Sequence, residues 1–211
     1  MRRWRTPRSP HTSDAEPARS YAEAVRRGVP LRNSDGLLEY PTVRSRPAPD
    51  FRLGLFHRTL LIGSVVVSLG HTLWMVTRIP SMPQQVPMHF AADGSVNRYG
   101  SPWEIAALGA FMAAVIIGCA VLTRYPRIYN LGRHVTELNI QAHYKNNVQL
   151  MVWVVVSLAV LHIHLQGTVA GDWPLSPGLW IGMALLLGSV TFFTLRSFRL
   201  SAHPPGERSG T

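Results

Sequence analysis

Acidic side chains are missing from every long apolar stretch of this 211-residue chain. That absence excludes a carboxylate pair for acid–base catalysis at membrane depth. Cysteine is nearly absent too. Cys119 stands alone, which excludes an internal disulfide and a cysteine-based metal site. Lysine is represented by Lys145 only, against twenty arginines, a bias of coding composition rather than a recognition surface. Nothing resembles HExxH, a nucleophile elbow or a phosphate-binding glycine loop. Ser64, Ser68, Ser157 and Ser189 have no lysine beside them in the apolar stretches, and only His71 shares a helix with a nearby serine. The first fifty residues lack the apolar core of a signal peptide. Together these gaps predict a non-enzymatic protein with no cofactor.

What is present falls into two unlike parts. Residues 1–52 hold eleven arginines and six acids, with few large apolar residues. Such a segment buries too little apolar surface to offset chain entropy, so a disordered basic tail is expected. Ala22 to Arg27 suits a helical turn, and Pro30, Pro41, Pro47 and Pro49 stop anything longer. The tail reads either as an arm for anionic lipid headgroups or a partner, or as a solvated segment. Residues 53–200 are mostly apolar, and 201–211 form a short second tail.

Four uncharged stretches lie in the apolar part, at about residues 59–77, 105–123, 148–167 and 179–195. Each matches the ~30 Å hydrocarbon core at 1.5 Å per residue. A soluble bundle would need charged outer faces, and these have none. The predicted fold is an all-α integral membrane protein with four transmembrane helices. Eleven Arg and Lys residues flank the ends assigned to the cytoplasm, against Arg78 and Arg98 on the other side. This positive-inside bias puts both termini in the cytoplasm of a plasma-membrane protein. Trp74, Trp103, Trp173 and Trp180 fit an aromatic belt at the outer boundary. The bias accounts for the net charge of +10, so nucleic acid is not a partner.

Ile79 to Gly100 separates the first two spans. Pro80, Pro83 and Pro87 forbid a helix there. Val86, Met88 and Phe90 alternate with Pro87 and His89, Asp93-Gly94 is a turn signal, and Val96 to Tyr99 suits a return strand. The expectation is a small extracytoplasmic β-hairpin.

Small residues indicate how the spans pack: Gly63, Ser64, Ser68 and Gly70; Ala106, Gly109, Ala110, Ala113 and Ala114; and Gly178 with Gly182 at GxxxG spacing. Assembly within one chain is the ordinary meaning, and the oligomeric state is left open. No proline or glycine occurs from Arg133 to Gln166, which predicts one helix of about 34 residues, roughly 51 Å long, starting near Asn130 and Gly132.

Histidines carry the only site chemistry. His71, His89, His162 and His164 all fall on the outer side, where neutral imidazoles bind Zn²⁺ or Cu²⁺ with Asp93 or Asp172 as a further ligand. Spacing opposes a shared site, since His162 and His164 point about 200° apart on a helix. Interhelical hydrogen bonding is the plainer reading, with His71, His89 and His162 as the remaining metal candidates.

Pro83-x-x-Val86-Pro87-x-His89-Phe90-x-x-x-Gly94, followed by Tyr99-Gly100-Ser101, resembles the outer loop of a bacterial membrane domain of unknown function. That domain also forms the N-terminal part of SdpI-like immunity proteins. A second resemblance lies in the link Tyr125-Pro126-x-x-Tyr129-Asn130 and Thr136-Glu137-x-Asn139-x-Gln141, before Tyr144. Together the two cover about residues 55–165. The resemblance implies a cell-envelope protein whose loop residues Pro83, Pro87, His89, Phe90 and Gly94 recognise a peptide or membrane partner. The link motif adds Pro126, Tyr129, Asn130, Glu137 and Asn139. The longer C-terminal membrane portion of SdpI-like members is missing here. Two other roles remain beside recognition, an accessory subunit of a membrane complex and an outer-face metal- or proton-binding protein. A purely structural role also fits the loop, with Phe90 seating the hairpin and His89 bonding backbone.

Overall fold

The computed structural model describes residues 16–91, 93–132, 135–171 and 176–202. Four of its helices are long and apolar enough to cross a membrane: α2 (Leu55–Arg78), α3 (Pro102–Leu122), α4 (Ile140–Val169) and α5 (Ser176–Ala202). With them come a short helix α1 (Tyr21–Arg27), a two-stranded sheet β1 (Leu31–Arg32) and β2 (Leu38–Glu39), and the hairpin β3 (Val86–Phe90) and β4 (Val96–Gly100). The expected all-α membrane architecture with a small hairpin is what forms. The chain divides into two compact units.

The larger unit comprises Arg52–Pro126 and Lys145–Arg196. On α3 the buried positions are Pro102, Ile105, Ala106, Gly109, Ala113 and Ile116, a stripe at steps of three and four. Ile116 packs with Val155 and Ala159 of α4, and Leu61 and Val65 of α2 close that layer. The outward faces are equally apolar. Leu55, Phe56, Val66 and Leu73 on α2, and Trp180, Leu187 and Phe192 on α5, are exposed. Water would penalise such faces at about 25 cal/mol per Å², whereas lipid does not. The chain is a multi-pass membrane protein in a lipid bilayer.

Glycine has the expected packing role on α5. A Cβ at Gly178 would collide with the His164 ring, and one at Gly182 would press on Leu161, so α4 and α5 approach closely there. On α2 the expected row of small residues does not act together. Ser68 is fully buried, but a Cβ at Gly63 or Gly70 would meet open space.

The smaller unit draws on Met1–Phe51, Arg127–Tyr144 and Ser197–Thr211. Here the structure departs from the disordered tail that composition predicts. From residue 16 onward the segment is folded, while residues 1–15 lie outside the described residues. Ser20 caps α1 by accepting the Glu23 N–H at 3.3 Å, and Gly28 ends it at φ 66°. Ala18, Ala24 and Val29 form a small core with Leu31. The reason for the departure is non-local. Leu38 N–H donates to the Glu137 carboxylate at 3.2 Å, and Glu137 N–H donates to Leu38 C=O at 2.9 Å. Hydrogen bonds to residues far along the chain order a segment that its own apolar content cannot.

The same pairing moves the start of α4. A helix from Arg133 was expected, yet it begins at Ile140. Thr136 is committed to a bridge with Glu39, and Tyr40 N–H donates to Val135 C=O at 3.1 Å. Asn139 then accepts the Thr136 N–H at 2.9 Å just ahead of the helix. The resulting 30-residue helix is about 45 Å long.

Candidate functional site

Three groups of residues carry the sequence expectations. The first is the hairpin. Pro80 falls in a 3₁₀ turn at Ile79–Ser81 that ends α2, and Pro83 is exposed in the approach to β3. The strands pair antiparallel, Val86 opposite Gly100, Pro87 opposite Tyr99 and Phe90 opposite Val96. At the tip Gly94 takes φ +85°, a conformation costly for other residues. Asp93 accepts both the Ser95 hydroxyl at 2.7 Å and its N–H at 2.9 Å. Those two donors hold the Asp93 carboxyl below the usual carboxylate range.

Val86 and Met88 seat the hairpin, packing with Met75, Ile105 and Val169; Phe90, expected in that role, stays half-buried outside this core. His89 does not bond backbone either. Its Nδ1 lies 2.5 Å from the Asn97 side-chain oxygen, across the strands on the exposed face. Beyond β4, Ser101 accepts the Trp103 N–H and Glu104 accepts the Ser101 N–H, a capping box that starts α3. Gly100 is required there because a Cβ would collide with the Glu104 carboxylate and with Met88. The outward surface presents His89, Arg98, Tyr99 and Trp103, the last two being 57 % and 63 % exposed.

The second group lies inside the bundle. Thr72 on α2 donates to Ser68 C=O at 2.9 Å, and its oxygen is 3.0 Å from His162 Nε2 on α4. The His71 ring stacks on Trp74 and meets the His162 ring edge-on at 6.3 Å. One turn along α4, Gln166 fills the space over Gly109 of α3. His71 and His162 were singled out by their depth in the sequence, and they do meet. Ser68, Thr72 and Gln166 were not singled out as partners. The steps 68–72 and 162–166 were the signal, since residues four apart share a helix face.

Of the three metal candidates, His71 and His162 meet, and His89 does not join them in a metal cage. His89 belongs to the hairpin, and His164 turns to Gly178 of α5, away from His162. Among the described residues no three His, Cys, Asp or Glu side chains come together as a metal cage. Asp172 lies outside the described residues, as does Trp173 of the expected aromatic belt.

The third group is the link motif, which clasps the N-terminal segment. Pro126 opens a 3₁₀ turn at Pro126–Ile128, Asn130 accepts the Gly132 N–H, and Tyr129 joins a core of Leu131, Val135, Ile140 and Tyr144. Arg46 donates to the carbonyls of Arg127 and Tyr129 at 2.6 and 2.7 Å. Gln141 donates to Ala48 C=O and accepts the Asp50 N–H, and the Tyr144 hydroxyl donates to Pro47 C=O at 3.0 Å. Glu137 and Asn139 therefore hold backbone, as do Gln141 and Tyr144.

The hairpin, with the helix segments on either side, is also where this chain resembles known proteins. Residues 66–117 match a domain of unknown function, DUF1648. The match runs from within α2 through the hairpin into α3. It is narrower than the resemblance drawn over residues 55–165, and the link motif falls outside it. No curated protein and no solved structure matches the chain.

Proposed function

We propose that this chain is a non-enzymatic plasma-membrane protein of a bacterial cell envelope, with both termini cytoplasmic and the hairpin outside. The hairpin recognises a peptide or membrane partner, in an immunity or sensing role like that of SdpI-like proteins. The observation that carries the reading is the build of the hairpin. Its inner side chains, Val86 and Met88, are seated on the bundle, while His89, Arg98, Tyr99 and Trp103 are held out on a pinned frame. Rigid aromatic and arginine side chains are the residue types that dominate recognition surfaces. Eleven basic residues on one side of the spans against two on the other support an outward hairpin.

Two measurements test the proposal. In a Cys119→Ser background, Ser95→Cys reacts with an impermeant maleimide in intact cells, and Ser34→Cys, also at an exposed position, reacts only after lysis. The opposite pattern inverts the topology and removes the recognition role. A strain lacking the chain becomes hypersensitive to a secreted antimicrobial peptide, and Tyr99→Ala with Trp103→Ala fails to restore resistance. Unchanged sensitivity across a peptide panel overturns the immunity role.

A further inference from the structure

The polar side chains inside the bundle are not all satisfied by one another. Ser68 is 0 % exposed and its hydroxyl has no partner; Gln166 is 1 % exposed and neither atom of its amide has one. Because Thr72 gives its proton to Ser68 C=O, it accepts from His162 Nε2–H. That assignment leaves His162 Nδ1 as a bare acceptor, and it too is buried without a partner. Burying this many orphaned groups in a dry bundle is strongly unfavourable. These orphaned groups are neutral: a hydroxyl, an amide and an imidazole, with no acid among them to hold a metal cation. Such a lining suits water, which needs two to four polar partners.

We propose that Ser68, Thr72, His162 and Gln166 enclose an internal water site. The water donates to His162 Nδ1 and to Gln166 Oε1, and it accepts from the Ser68 hydroxyl. The charged groups on the packed elements are few. Arg78 lies over Trp74 on α2, the Arg98–Glu104 pair joins β4 to α3, and His164 turns to α5. From Pro177 to Leu195, α5 has no titratable side chain. The inference is independent of what the hairpin recognises.

The test uses the full chain with ¹⁵N-labelled histidine in phosphatidylcholine–phosphatidylglycerol bilayers, read by solid-state NMR. His162→Gln assigns the resonance, and intact hairpin signals with unchanged thermal stability confirm that each variant is folded. Magnetisation passes from water to His162 Nδ1. Gln166→Leu abolishes the water signal while the His162 resonance remains. The proposal is overturned when His162 shows no water transfer although exposed His89 does.

Discussion

Arg98 on β4 and Glu104 on α3 form an ion pair of 2.9 Å, and the Glu104 carboxylate also accepts the Ser101 N–H at 3.0 Å. One side chain thus closes the hairpin and opens the following helix. Exposed ion pairs contribute little, whereas a capping box satisfies two orphan donors.

Glu104→Ala therefore loosens the hairpin more than Arg98→Ala does. Amide exchange across Val86–Gly100 accelerates in both variants, and most in Glu104→Ala. Equal exchange in the two would place the stabilisation in the ion pair instead of the cap.

Glycine substitutions on α3 separate packing from propensity. Gly109→Ala drives a methyl into Gln166 and lowers stability by about 1–3 kcal/mol, as overpacking does. Gly118→Ala meets nothing within 4 Å and gains about 0.5–1 kcal/mol from helix propensity. Thermal unfolding in detergent micelles reads both. A neutral Gly109→Ala would show that Gln166 has room to move.

The link motif makes a prediction that the sequence resemblance alone does not. Tyr144→Phe removes the hydrogen bond to Pro47 and costs about 1 kcal/mol. Arg46→Ala leaves the carbonyls of Arg127 and Tyr129 without their donor and costs more, about 1.5–3 kcal/mol. Limited proteolysis within residues 38–50 then speeds up in the order Arg46→Ala, Tyr144→Phe, native. Protection unchanged in Arg46→Ala would remove that side chain from the clasp.

The spans were legible because lipid demands a simple pattern, about twenty residues without charge. The hairpin was legible because Pro87 and Asp93-Gly94 state their backbone geometry locally. Residues 16–51 were not, because Leu38, Pro47 and Ala48 are held by Glu137, Tyr144 and Gln141 through contacts more than ninety residues apart. Composition contains no record of such partners. The same blindness put the start of α4 at Arg133, where helix propensity yields to the Glu39–Thr136 bridge. His71 and His162 stood out as ionisable groups at membrane depth, but their neighbours Thr72 and Gln166 are common residues that only a helix-face count brings forward.

The clasp also sets an order of events during synthesis. Residue 38 emerges from the ribosome 99 residues before Glu137, and residue 47 emerges 97 residues before Tyr144. At roughly 5–20 residues per second, that is an interval of about 5–20 s. Throughout it α2 and α3 are made and handed to the membrane, while the early segment stays open to chaperones and proteases. A message truncated after α3 leaves that segment permanently without its counterpart.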